Sequence, residues 1–299
     1  MRELVIISGK GGTGKTSLTA AFAHLAEGKV LCDLDVDAPD LHLITQPTPE
    51  RSGPFLAGQV AEIATAACTA CGTCVSVCAY DAIRVEAGVF KVDWSHCEGC
   101  KVCVVLCPEN AISFPDRLCG TWFESCTRFG SMVHAQLDPG RENSGKLVNL
   151  LKTKARQRAT HLGLDLILSD GAPGIGCPVI SSLSQASLAL LVTEPTPSGL
   201  HDLERVAQLC RQFRIPSAVL INKADLNLDY QAAIHTFCQT WKVPVVGKLP
   251  FDSAVTAAMV RAQAVTEGPA TPFADQVRHV WSLLHPLLVH FPLSSEPRS

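Results

Sequence analysis

Short apolar runs alternate with amphipathic stretches along much of the chain. Leu4 to Ser8 is a compact run rich in β-branched residues that ends at glycines, the pattern of a buried parallel strand entering a loop. Ser17 to Ala26 predicts a helix and Lys29 to Leu34 a second strand. A βαβ opening implies an α/β fold built on a doubly wound, mostly parallel sheet. The rhythm breaks from about Gln46 to Gly58, which is rich in Pro, Gly and polar residues, and from Cys68 to Cys107, which carries eight cysteines. It resumes after about Lys146 with a helix to His161 and a strand at Leu164 to Ser169. Further strands follow at Leu188 to Thr193, Ala218 to Asn222 and Val245 to Gly247. The economical organisation is one α/β domain in two parts, 1–58 and 117–299, interrupted by a small α+β insert at 59–116. The last segment, Ala274 to Phe291, predicts an apolar helix broken by Pro286; without a basic face it reads as a packed helix rather than a membrane-binding one.

Composition narrows the chemistry. Hydrophobic residues make up 47% of the 299, enough for a core without staples. A net charge of −3 leaves no electrostatic footprint for nucleic acid, and the basic run from Lys152 to Arg158 reads as a solvated helix face. The first residues, MRELVIIS, carry no export signal, so a cytoplasmic protein is expected. No run of about 18 apolar residues occurs, so no transmembrane segment is expected. Fourteen cysteines in a reducing compartment point to metal rather than to disulfides.

Gly9-Lys10-Gly11-Gly12-Thr13-Gly14-Lys15-Thr16 matches the phosphate-binding pattern G-x-x-x-x-G-K-[ST]. Glycines let successive N–H groups turn toward phosphate oxygens, and the helix that follows, from Ser17, offers its positive end. Lys15 is placed to reach the β- and γ-phosphates and Thr16 to ligate Mg²⁺. Gly9, Gly11 and Gly14 also satisfy G-x-G-x-x-G, with Asp33 as a ribose-binding acid, but a dinucleotide site gives no role to Gly14-Lys15-Thr16. Lys10, just after the first glycine, resembles the second lysine of the deviant Walker A loop of the MinD, ParA, Mrp and nitrogenase iron protein superfamily. The resemblance implies that Lys10 crosses a dimer interface to the partner's phosphates.

Acids follow at strand ends, where a parallel sheet presents its crevice. Asp33, Asp35, Asp37 and Asp40 end the second strand. By the resemblance this is switch I: Asp35 positions the attacking water, and Asp33 and Asp37 lie close to the metal. The apolar run Leu166-Ile167-Leu168-Ser169 delivers Asp170 to Gly171-Ala172-Pro173-Gly174, which reads as Walker B and switch II, with Asp170 in the Mg²⁺ shell. Asn222-Lys223-Ala224-Asp225 resembles the base-recognition element of the superfamily; a turn-forming pair is the other reading of Asp225. Pro250 and Phe251 lie where relatives pack backbone against the base.

The cysteines carry the most specific spacing. Cys68-x-x-Cys71-x-x-Cys74-x-x-x-Cys78 is followed by Cys97-x-x-Cys100-x-x-Cys103-x-x-x-Cys107-Pro108, the bacterial two-cluster ferredoxin run written twice. In such runs the fourth cysteine ligates the other cluster. One [4Fe–4S] cluster is therefore expected on Cys68, Cys71, Cys74 and Cys107, and the second on Cys78, Cys97, Cys100 and Cys103. Two zinc sites would also take four thiolates each, but zinc does not demand this full spacing. Ala79 stands where proline usually follows the fourth cysteine.

Together these features resemble the MinD-superfamily P-loop ATPases that carry an inserted ferredoxin domain. The resemblance also runs through Glu142-Asn143-Ser144-Gly145-Lys146-Leu147-Val148, Gly174-Ile175-Gly176-Cys177-Pro178 and Thr193-Glu194-Pro195-Thr196-Pro197-Ser198-Gly199-Leu200-His201-Asp202. It implies ATP and ADP as ligands, Mg²⁺, and an ATP-dependent homodimer or heterodimer with a paralogue. It further implies a client that receives electrons or a metal cluster, with the insert chained between switch I and switch II. A MinD/ParA-like spatial organiser with redox-sensing clusters is the alternative, disfavoured by the missing basic patch; intact Lys10, Lys15, Thr16, Asp35 and Asp170 argue against a plain electron carrier. Of the remaining cysteines, Cys32, Cys119, Cys126, Cys210 and Cys238 read mostly as small core residues. Cys177 follows Asp170 at the offset of a cluster-ligating cysteine in the nitrogenase iron protein, which makes it a candidate interface thiol.

Overall fold

A computed structural model describes residues 1–139 and 144–290. Glu142 and Asn143 of the motif quoted above, and Phe291 at the end of the last predicted helix, lie outside them. The chain runs through β1 (Arg2–Ser8), α1 (Lys15–Leu25), β2 (Lys29–Asp33), α2 (Leu41–Thr45) and β3 (Thr48–Gln59). Next come β4 (Glu62–Ile63), α3 (Thr73–Ser76), β5 (Ile83–Glu86), β6 (Val89–Val92), α4 (Val102–Val105) and β7 (Ile112–Ser113). After β8 (Asp116–Thr127) and β9 (Gly130–Leu137) follow α5 (Ser144–Leu162), β10 (Leu166–Pro173), α6 (Cys177–Leu183) and β11 (Leu188–Thr193). The described residues close with α7 (Pro197–Gln212), β12 (Ser217–Ile221), α8 (Leu228–Trp241), β13 (Val245–Lys248), α9 (Ser253–Val260) and α10 (Pro272–His290). Two compact units result, one of 1–53, 122–136 and 144–290, the other of 54–121 with 137–139.

The first unit is an α/β fold on a mostly parallel sheet of order β13-β12-β11-β1-β10-β2-β9-β8-β3. β1 pairs in parallel with β10 and β11, β10 with β2, and β11 with β12. Side chains alternate along a strand, so a strand covered on both faces reads as continuously apolar. Leu4 and Ile6 of β1 join Phe22, Leu31, Leu168 and Leu284 in one buried layer. Val5 and Ile7 turn the other way, into a layer with Val179, Leu191, Leu203 and Ile234. At Gly171 the strands approach so closely that a Cβ would stand 2.4 Å from Ile7 Cγ2 and 2.8 Å from the Ile6 carbonyl. The sheet thus delivers the carboxyl ends of β1, β2, β10, β11 and β12 to one edge.

The break at 46–58 holds an edge strand, Thr48–Gln59, a position that tolerates Pro49 and Gly53. Three expectations are corrected. Strand β10 continues through Asp170 to Pro173 instead of turning there. Helix α10 passes through Pro286 unbroken, held by buried Leu284 and Leu288 on either side. The basic run on α5 is no solvated face. Buried Glu3 draws Lys152 to 2.8 Å and Arg156 to 2.7 Å, and accepts the Ser169 hydroxyl at 2.9 Å. Lys154 stands over the Trp122 ring, and Arg158 reaches Glu50 and Ser131. A carboxylate taken out of water needs such partners, and they come from a helix distant in sequence.

One histidine carries a pH prediction. His134 on β9 stacks on Phe123 with ring centroids 5.1 Å apart, and its Nε2 lies 2.9 Å from Ser125 Oγ. Burial, reinforced by His42, pushes its pKa from 6.5 down to about 4. Across that window the unfolded chain binds the extra proton, so stability is lost as the pH falls from 6.5 toward 4. The expected loss from this residue between about pH 7 and about pH 4.5 is roughly 2 kcal/mol. Thermal melts at both pH values should show His134→Gln losing less stability than the parent by that amount.

The second unit is small. β4 pairs with β7 and β5 with β6, each antiparallel. Its core is Ala61, Cys74, Ile83 and Ile112, closed by Phe90, Phe114 and most of the clustered cysteines.

Candidate functional site

In the first unit, Gly9 to Gly14 bridge β1 and α1, with Gly12 and Gly14 at φ 76 and 94. A Cβ on Gly14 would come within 2.5 Å of the Asn222 amide nitrogen, so glycine is required there by both backbone and contact. Asn222 Nδ2 donates to the Thr13 carbonyl at 2.8 Å, and Lys223 Nζ to the Gly12 carbonyl at 3.1 Å. The pair expected at a base therefore also braces the loop. Asp225 takes the turn-forming role, its Oδ1 accepting the Phe251 N–H at 2.7 Å. Beside the loop lies a cleft of about 410 Å³ lined by Lys15, Thr16, Ser17, Asn222, Pro250 and Phe251, among others. That is within the size range of small-ligand pockets.

Carboxylates crowd the floor behind the loop. Buried Lys15 places Nζ 3.7 Å from Asp35 Oδ2. Asp170 is wholly buried, and its Oδ1 accepts from Thr19 Oγ1 at 3.0 Å. Burial raises the pKa of Asp170 against the opposing pull of Lys15, Thr16 and Thr19. Burial and then Asp170 push Asp33 well up, and burial raises Asp35 despite Lys15. Asp37 and Asp40, by contrast, are exposed. Asp33 Oδ2, Asp170 Oδ2 and the Thr13 hydroxyl are buried with no hydrogen-bond partner among the described residues. Orphaned carboxylate oxygens are donors of the kind a hard divalent cation takes.

Two participants escaped the sequence reading. Glu194, buried just past β11, holds Lys10 Nζ at 3.2 Å through Oε2 and Lys223 Nζ at 2.5 Å through Oε1. Lys10 also donates to Ser198 Oγ at 3.3 Å. The available signal was an acid at a strand's carboxyl end. Thr19 is the other, one helical turn beyond Lys15, where nothing in the motif marks it.

In the second unit the eight cysteines divide crosswise. Cys68, Cys71, Cys74 and Cys107 line one small cavity of about 20 Å³. Cys78, Cys97, Cys100 and Cys103 line another of about 20 Å³. Among the described residues no group of three or more His, Cys, Asp and Glu side chains is arranged to hold a metal ion. The duplication extends beyond the cysteines. The Ala82 N–H points to Cys78 Sγ and the Ala111 N–H to Cys107 Sγ, both at 3.3 Å. Left-handed backbone recurs at Ala70, Gly72 and Asp81 and again at Gly99, Lys101 and Asn110. Elsewhere Cys32, Cys119, Cys210 and Cys238 are buried, while Cys126 and Cys177 are exposed, Cys177 as the first residue of α6.

The sequence profile of the CobQ/CobB/MinD/ParA nucleotide binding domain matches residues 4–265. The chain belongs to that family. It is similar to two uncharacterized proteins of Methanocaldococcus jannaschii. One is 34% identical over 75% of this chain and 79% of its own length, the other 28% identical over 78% and 87%. Among solved structures, the Pyrococcus furiosus cell division ATPase MinD gives a TM-score of 0.58 at 18% identity, covering 96% of this chain and 99% of that one. MinD of Pyrococcus horikoshii complexed with Mg-ADP gives 0.58 at 16% identity, with 96% of each chain covered. At such identities the likeness is one of fold. No described helix is long and apolar enough to cross a membrane.

Proposed function

We propose that the chain is an ATP-binding and ATP-hydrolysing iron–sulfur protein. Its nucleotide-dependent dimer couples turnover to electron transfer to a client protein, or to metal-cluster assembly on one. The observation that carries this reading is the crosswise division of eight cysteines into two four-thiol cavities, in a chain of a nucleotide-binding family. A [4Fe–4S] cluster is a polyatomic body, so its four thiolates stand around a cavity instead of meeting on one ion. Each cluster supplies one-electron redox chemistry when bound.

In the nucleotide site Gly9 to Thr16 and Ser17 wrap the phosphates, and Lys15 neutralises them from its buried position. Thr16, Asp35 and Asp170 hold Mg²⁺, which supplies charge compensation at the phosphates; the orphaned Asp170 Oδ2 supports that assignment. Asp35 orients the attacking water. Asn222, Lys223, Pro250 and Phe251 border the base. Lys10, released from Glu194, reaches the phosphates bound by the partner copy, and exposed Cys177 is assigned to the face between copies.

The test is anaerobic purification with iron, sulfide and EPR quantification beside a phosphate-release assay. About four irons and four sulfides per cysteine set are expected, with ATP turnover that responds to cluster reduction. Zinc in place of iron, or nicotinamide dinucleotide in the glycine loop, would overturn the reading.

A further inference from the structure

Gly72 and Lys101 occupy the same place in the two halves of the cysteine unit, each directly after the second cysteine of its run. Both adopt left-handed backbone, at φ 80 and 67. Glycine takes that conformation freely, whereas a residue with a Cβ pays roughly 1 kcal/mol. The second half therefore keeps a lysine where the backbone favours glycine, and such strain gathers where a side chain has work to do.

The surroundings show what that work is. The Lys101 ammonium stands 5.7 Å from the centroid of the Phe114 ring, and both residues line the cavity of Cys78, Cys97, Cys100 and Cys103. Lys101 forms no ion pair among the described residues. Glu98 lines the same cavity, so its charge is offset. The charged residue lining the first cavity is Glu109, and no cation accompanies it. The two sites thus have matching thiolates but different net charge.

We propose that Lys101 makes the cluster held by Cys78, Cys97, Cys100 and Cys103 the easier of the two to reduce, so that it keeps the electron in the one-electron-reduced unit. This rests on the cluster reading given above. In the step, a one-electron donor is oxidised by one electron and the cluster gains it. No bond forms or breaks and no proton moves. The cluster's charge becomes more negative by one, and a neighbouring cation stabilises that state; net charge and hydrogen bonds to sulfur are the levers that set such potentials. One feature of the first site acts the other way: Thr73 Oγ1 lies 3.4 Å from Cys71 Sγ, and the aligned residue in the second half is Val102. A hydroxyl on one of four thiolates feels only the share of the electron that reaches that sulfur. The ammonium acts on the whole added charge, and it prevails.

The experiment is an EPR-monitored potentiometric titration of the full-length protein, with dithionite as donor and with iron and sulfide quantified in every sample. In Lys101→Gln one reduction step moves to lower potential while the other stays. At fixed solution potential the reduced-to-oxidised ratio of the moved cluster falls about tenfold, equivalent to about 59 mV for a one-electron couple. Thr73→Val moves the other step. Lys101→Gly reproduces the shift and raises thermal stability, since it relieves the backbone. Fully loaded Lys101→Gln with both steps unmoved, or moved together, overturns the role of Lys101. A parent protein without iron and sulfide overturns instead the cluster reading beneath it.

Discussion

Lys15→Ala is expected to lower ATP turnover by about a thousandfold, the scale on which removal of one preorganised charge at a phosphoryl site acts. Lys15 is the cation that the floor of the loop is built around, since Asp33, Asp35 and Asp170 are all buried behind it. Burial raises the pKa values of Asp35 and Asp170, and the Lys15 ammonium opposes that rise at both. Truncation removes the charge that meets the phosphates and leaves three carboxylates facing them uncompensated. Nucleotide affinity therefore falls with turnover. Asp35→Asn separates the two effects: it keeps the loop and the lysine, so binding survives while hydrolysis is lost. Phosphate release measured beside calorimetric nucleotide binding checks both variants. Lys15→Ala retaining more than about a tenth of parental turnover would sink the assignment.

The sequence exposed those parts of the fold whose physics is local. β1, β2 and β11 are covered on both faces, so they appear as unbroken apolar runs and were readable within a residue or two. The loop was readable because Gly12 and Gly14 must take left-handed backbone. β3 escaped because, of its twelve residues, only Phe55 and Ala57 are buried, and its edge position admits Pro49. Glu194 and the Glu3–Lys152–Arg156 cluster escaped for a different reason. Each joins residues far apart in sequence, and a single charged position shows neither its burial nor its partner. The cysteine spacing stood out because the ligands of a metal–sulfur cage, as proposed, would have to lie a few positions apart. The crosswise fourth thiol was expected from the run itself, whereas the asymmetry between Gly72 and Lys101 needed the folded backbone.

That crosswise geometry yields the second large effect. Cys107 belongs by sequence to the second run but faces the cavity of Cys68, Cys71 and Cys74; Cys78 belongs to the first run but faces the other. On the proposed cluster reading, Cys71→Ala and Cys107→Ala are each expected to lower bound iron by about half, through loss of the same cluster. Combined, Cys71→Ala/Cys107→Ala should lose no more than either alone, because both substitutions damage one site. Cys71→Ala/Cys78→Ala, a pair from within a single run, should remove nearly all the iron. If each run instead held its own cluster, the two double variants would exchange outcomes. Cys71 is exposed, so its replacement leaves the core of Ala61, Cys74, Ile83 and Ile112 intact and isolates the ligand effect from misfolding. Far-ultraviolet circular dichroism of the same samples verifies that control, and the iron ratio between the two double variants decides the connectivity.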